Sequence, residues 1–117
     1  MEYTDEFGDW WETLTEKEQV SIAVSVRLLE EIGPNLGFPH SSEIKGSKHK
    51  HMRELRTQHE GRPLGTLYAF DPRRKAILLI GGDKGGDKRW YDTHIPIADR
   101  LYDEHLELLK KQGGNNG

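Results

Sequence analysis

The sequence predicts an α+β domain in which helices pack on a small antiparallel sheet. Three observations carry that prediction. Two N-terminal segments and one C-terminal segment repeat apolar residues at helical spacing. Between them lie three short runs of strand-forming residues. The last two of these are joined by Asp71-Pro72-Arg73-Arg74, a turn short enough to close a hairpin. The expected order is α-α-β-β-β-α, with the helices forming a layer on one face of the sheet. A chain of 117 residues without internal repeats is read as one domain over residues 1–112.

The first helix is expected over Asp5–Leu14. Thr4 is placed to cap it, Asp5 and Glu6 suit the positive end of its dipole, and Phe7, Trp10, Trp11 and Leu14 share one face. That face reads as core or as a partner-facing stripe. A second helix is expected over Glu16–Ile32, opened by a Thr15/Glu18 capping box and stopped by Gly33-Pro34. Val20, Ile22, Val24, Val26 and Leu28 also alternate as a strand would. The end signals, the length and the pairs Val20/Val24, Ile22/Val26 and Leu28/Ile32 decide for helix. Asn35–Lys50, rich in Pro, Ser, Gly and Lys, reads as a loop. Strands are expected near His51–Gln58, Leu64–Asp71 and Lys75–Gly81, followed by a loop over Gly82–Lys88. Arg89-Trp90-Tyr91 either continues the sheet or begins a connection. The last helix is expected from Pro96, in its first turn, to about Lys111, with Gly113 ending it and residues 113–117 forming a disordered tail.

Composition narrows the chemistry. There is no cysteine, hence no disulfide framework and no thiolate site. No apolar run approaches the roughly 18 residues of a membrane span, and the acidic start resembles no signal peptide, so the cytoplasm is the expected compartment and no membrane partner is expected. Gly81–Lys88 lacks the Lys-Ser/Thr spacing of a phosphate-binding P-loop. Six histidines show no recognisable ligand spacing, so neither a metal nor another cofactor is expected. The serines and acids form no hydrolase pattern.

What remains is a charge asymmetry. Residues 1–36 hold nine acids and two bases, whereas residues 37–91 hold six acids and twelve bases. A basic middle segment flanked by acidic helices suits a polyanion, and cations beside tyrosines on a sheet suit RNA. RNA cleavage needs no cofactor, because the 2′-hydroxyl attacks the adjacent phosphorus. The protein must align that attack, stabilise the added phosphate charge and help protonate the leaving 5′-oxygen. Arg56, Arg62, Lys84 and Tyr91 are the candidates if they converge at one sheet end. Lys45, Lys48, Lys50, Arg53, Arg73, Arg74 and Arg89 are candidates for attraction to the RNA backbone.

The order and spacing of several fragments resemble the HigB-type toxins, a phage-derived group within the RelE superfamily of messenger-RNA interferases. The fragments are Tyr3-Thr4-Asp5-Glu6-Phe7, Trp10-Trp11, Met52-Arg53-Glu54-Leu55-Arg56, Leu67-Tyr68-Ala69-Phe70-Asp71-Pro72-Arg73-Arg74, Ala76 to Lys84, Arg89-Trp90-Tyr91 and Ile95 to Tyr102. The resemblance implies a RelE-like fold and ribosome-dependent cleavage of mRNA. It also implies neutralisation by an antitoxin carrying a helix-turn-helix, with operator DNA reached only through that antitoxin. Carried onto this chain, it makes Arg56 the basic residue of the ELR strand, Lys84 the cation after the LLIGGD strand, and Tyr91 the aromatic near the site. The family pattern has an arginine two residues before Leu67, where this chain has Gly65. That departure predicts either a weakened enzyme or compensation by Arg62. Restoring an arginine at position 65 is expected to raise cleavage in the first case only. The first strand of relatives is also expected to be short here.

Overall fold

The computed structural model describes residues 1–114. A five-stranded sheet in the order β1-β5-β4-β3-β2 is built from β1 (Glu2–Tyr3), β2 (Ser41–Glu43), β3 (Arg53–His59), β4 (Arg62–Phe70) and β5 (Ala76–Asp83). Neighbouring strands are antiparallel except β1, which runs parallel to β5 through Glu2↔Ile77 and Tyr3↔Leu78. Three helices complete the chain: α1 (Asp5–Glu12), α2 (Glu16–Ile32) and α3 (Trp90–Gly114). No helix among the described residues is long and apolar enough to cross a membrane.

The local signals at the helix starts hold. Thr4 Oγ1 accepts from the Phe7 amide at 3.0 Å and caps α1. Thr15 and Glu18 form the reciprocal capping box of α2, at 3.1 and 2.8 Å. Gly33, at φ 74°, ends α2 in a backbone region that favours glycine. The Asp71–Lys75 turn joins β4 to β5, with Asp71 N donating to the Lys75 carbonyl at 2.9 Å.

Three expectations are corrected. First, the helices cover both faces of the sheet. Phe7, Ile22 and Leu29 of α1 and α2 pack with Leu55, Leu64, Tyr68, Ala76 and Leu78 on one side. Trp90, Ile95, Ala98, Leu101 and Tyr102 of α3 pack with Met52, Leu67, Ala69, Ile77 and Leu79 on the other. The consecutive apolar residues Leu67-Tyr68-Ala69 and Ile77-Leu78-Leu79 require this, since successive side chains of a strand point to opposite faces. Second, α3 begins six residues before Pro96 and runs through Gly114. Pro96 lies inside it on the solvent side, where its missing N–H leaves the Asp92 carbonyl without its helical donor. Burial of Trp90 and Ile95 beneath the first two turns offsets that loss. The tail expected over 113–117 is therefore helical at Gly113 and Gly114, and residues 115–117 lie outside the described residues. Third, a short edge strand, β2, lies in a segment read as loop, while the first strand, β1, is short as expected.

Helix α2 also turns a different face inward. Val20 and Val24 point to solvent, whereas Ser21 bonds His59 at 2.7 Å and Thr57 donates to Ser25 at 2.8 Å across the α2–β3 contact.

Candidate active site

Strand β3, the end of β5 and the first turn of α3 bring three side chains together. The Glu54 carboxylate is 1 % exposed. Tyr91 Oη donates to Glu54 Oε1 at 2.6 Å, and Lys84 Nζ donates to Tyr91 Oη at 3.1 Å. Lys84 Nζ is also in ion-pair contact with Glu54 Oε2. This oxygen has no hydrogen-bond partner among the described residues, and Lys84 is its ion-pair partner. A buried carboxylate without an opposite charge would be costly, so Lys84 is what makes Glu54 tenable there.

Two glycines make room for the cluster. A Cβ at Gly65 would stand 2.5 Å from Glu54 Oε2, 3.0 Å from the Trp90 ring and 3.1 Å from Lys84 Cδ. A Cβ at Gly82 would stand 2.5 Å from Trp90 Nε1. Trp90 is thus pressed onto bare backbone, its indole N–H without a partner among the described residues and its ring stacked on His94 at 4.4 Å. The ring forms a floor for the site, with Lys84 Nζ 5.9 Å from its centroid and 5.3 Å from that of Tyr91.

The electrostatics bear on the protonation of Tyr91. Burial raises the Tyr91 phenol above its ordinary value, the Glu54 hydrogen bond raises it further, and Lys84 opposes both. At neutral pH Tyr91 is therefore a phenol with its proton directed at Glu54. Tyr91 as a residue is 39 % exposed, so the cluster lies at the protein surface and not within the core. The arrangement is a buried proton acceptor, a phenol able to pass a proton to it, and an ammonium able to stabilise an anion.

The predicted site residues divide. Lys84 and Tyr91 meet. Arg56 lies on the same face, two residues from Glu54 and directly across from Gly65, but its guanidinium is held over the Phe38 ring at 4.9 Å and donates to the Pro39 carbonyl at 3.3 Å. Arg62 is not brought to this cluster. It lies on the opposite face, donating to Glu18 at 2.5 Å and to Asp83 at 3.0 Å, and so latches α2 to the sheet.

The backbone-binding candidates scatter. Arg73 pairs with Glu2 and Asp71, and with Arg74 it sits at the far end of the β4–β5 hairpin from Lys84, roughly 20 Å along the strands. Arg53 donates to Ser41 at 2.9 Å on the α2 side, and Lys48 pairs with Asp103. Lys45, Lys50, Arg74 and Arg89 are exposed and have no carboxylate at ion-pair distance among the described residues. Of the four residues expected to converge at one sheet end, Lys84 and Tyr91 meet, Arg56 stands beside them on the same face, and Arg62 does not join them. Among the described residues, no group of three His, Asp or Glu side chains is placed to hold a metal ion.

Sequence reasoning passed over Glu54 and Trp90. The available signal was a glutamate at a strand position that alternation assigns to the same face as Met52, where an acid is out of place unless paired.

A mixed sheet clad by helices on both faces, with a buried Glu-Lys-Tyr cluster at one end, defines the class of domain. The model of the phage-derived Gp49-like proteins matches residues 9–103, and the chain belongs to that family. Two proteins of Mycobacterium tuberculosis (strain ATCC 25618 / H37Rv) are similar to it. One, named "Putative toxin HigB3", is 46 % identical over 98 residues, covering 83 % of this chain and 84 % of the relative. The other, named "Putative toxin HigB2", is 41 % identical over 99 residues, covering 83 % of this chain and 49 % of the relative. The HigB-type kinship expected from the sequence is thereby shown. No solved structure matches the chain.

Proposed function

We propose that the chain is the toxin of a toxin–antitoxin pair and an endoribonuclease that cleaves mRNA engaged by the ribosome. The observation that carries the reading is the Glu54–Lys84–Tyr91 cluster, set in a relative of HigB toxins. In the reaction the 2′-oxygen bonds to phosphorus as the bond from phosphorus to the 5′-oxygen breaks. The 2′-hydroxyl proton passes to Tyr91 Oη while the phenolic proton moves to Glu54 Oε1. Lys84 stabilises the phosphorane charge and protonates the departing 5′-oxygen. Contact between Glu54 and Lys84 then returns the proton and restores the starting state. Arg56 and the exposed cations contribute attraction to the RNA, and no cofactor takes part. In this scheme the cluster supplies the chemistry at the site where the family pattern has an arginine at position 65. The cognate partner is an antitoxin with a helix-turn-helix.

Tyr91→Phe tests the reading, since it removes one hydroxyl and leaves the ring and the Glu54–Lys84 pair. Cleavage in a translating extract, read by mapping mRNA 5′ ends, is expected to fall by about 100-fold or more while the melting temperature stays near that of the parent chain. Translation that continues without new mRNA ends when the parent chain is added rules the reading out.

A further inference from the structure

Phe38 is the most exposed large apolar residue among the described ones, at 77 %. It is not on a loose segment. Leu36 beside it is buried, the amides of His40 and Ser41 both donate to the Gly37 carbonyl at 3.1 and 3.0 Å, and the Arg56 amide donates to the His40 carbonyl at 2.8 Å. The loop is therefore anchored at both ends and presents the ring outward. The Arg56 guanidinium lies 4.9 Å from the ring centroid. Arg56 pairs across the sheet with Gly65, whose missing Cβ would lie 3.1 Å from Lys84 Cδ. The Phe38–Arg56 pair thus stands about two strand spacings, roughly 10 Å, from the cluster around Lys84.

We infer that Phe38, with Arg56 laid against it, is a stacking platform for an unpaired base of the RNA and so a specificity-determining residue. The inference rests on the reading of the neighbouring cluster as RNA-cleaving. An aromatic ring and a guanidinium plane are the two surfaces on which single-stranded bases stack, and the cation also draws the adjoining phosphate. Held beside the reacting centre, the platform grips a nucleotide next to the scissile bond and sets which nucleotides lie in line with Lys84 and Tyr91.

The test uses the full chain and a short single-stranded RNA carrying 2′-methoxy groups, which block cleavage, with one 2-aminopurine moved along it. In the parent chain and in Phe38→Trp, one position is expected to show quenched fluorescence. Phe38→Ala and Phe38→Leu are expected to lose the quenching and bind roughly tenfold more weakly. In the translating extract both variants are expected to raise KM, leave kcat near the parent value and broaden the set of cut sites. Three results would overturn the inference: Phe38→Leu retaining the quenching, Phe38→Ala cutting with the parent profile, or Phe38→Ala losing only neutralisation by the antitoxin. The last marks a protein contact instead. Quenching that depends on Phe38 in a chain that cuts no mRNA defeats the cleavage reading and leaves the platform standing. If the parent chain cuts only on the ribosome and ignores the free oligonucleotide, the cut-site profile of Phe38→Ala decides.

Discussion

Glu54, Trp90 and Lys84 converge on the space a side chain at position 65 would occupy, and only a hydrogen atom fits there. Gly65 therefore belongs to the site. Seen as sequence alone it is a missing arginine; seen in place it is what permits a carboxylate to reach Lys84. An arginine at 65 would have to displace Glu54 or lift Trp90 from Gly82. Gly65→Ala is expected to lower stability by about 1–3 kcal/mol, read as a drop in the urea midpoint at unchanged slope, and to reduce cleavage. Gly65→Arg is expected to do the same more severely. A gain in cleavage by Gly65→Arg would show that the cluster rearranges and that the natural chain is attenuated. Lys84 and Tyr91 were legible in the sequence because cations and tyrosines stand out after an apolar strand. Glu54 was not, since a lone glutamate beside two arginines reads as solvated surface unless its strand face is known.

The secondary-structure elements are tied together by a few carboxylates held ionised in the fold. Glu18 caps α2 and reaches Arg62 of β4. The backbone bond to Thr15 and the bond to Arg62 lower its pKa from 4.5 to about 2. Asp71, at the end of β4, is buried with Arg73 and with His105 of α3, which lies 2.9 Å away. Burial pushes its pKa up, but the bonds from Arg73, His105 and the Lys75 and Arg73 amides outweigh it and bring the value to about 2. Both folded values lie below the unfolded ones, so the unfolded chain takes up protons first. Their contribution to stability is complete above about pH 4.5 and is lost as pH falls towards 2. Thermal melts from pH 5 to pH 2 are expected to fall steeply, and Asp71→Asn is expected to flatten that dependence while lowering stability at pH 7. An unchanged pH slope in Asp71→Asn would show that the α3 contact does not depend on the charge. The starts of α1 and α2 and the stop of α2 were readable, because caps and stops act over three or four residues, whereas Pro96 hid a start of α3 six residues upstream. The inward face of α2 was not readable, since Ser21 and Ser25 are half-buried against His59 and Thr57, which stand opposite.

Across the molecule, charge is spent in two ways. Lys48, Arg53, Arg62, Arg73 and Lys84 hold the fold together through ion pairs, whereas Lys45, Lys50, Arg56, Arg74, Lys75, Lys88 and Arg89 have no such partner among the described residues. The charges of the second set are not already shared with a carboxylate when a polyanion approaches. For RNA binding, the plot of log K against log salt is expected to lose about 0.7 from its slope for each of these that contacts phosphate and is replaced by glutamine. Lys88→Gln and Arg89→Gln, near the cluster, are expected to show the loss, and Arg74→Gln, at the distant turn, is expected to leave the slope unchanged. An equal loss from all three would mean that the RNA runs the length of the hairpin. The α+β class, the starts of α1 and α2 and the hairpin follow from residues a few positions apart, whose periodicity and capping need no knowledge of the rest of the chain. The HigB-type family follows from the order and spacing of fragments along the sequence. The two-sided layering, the pairing of Glu54 with Lys84 and the separation of Arg62 and Arg73 from the site depend on strand register and on which face each residue takes. Those are settled only when residues thirty or more positions apart are packed against one another.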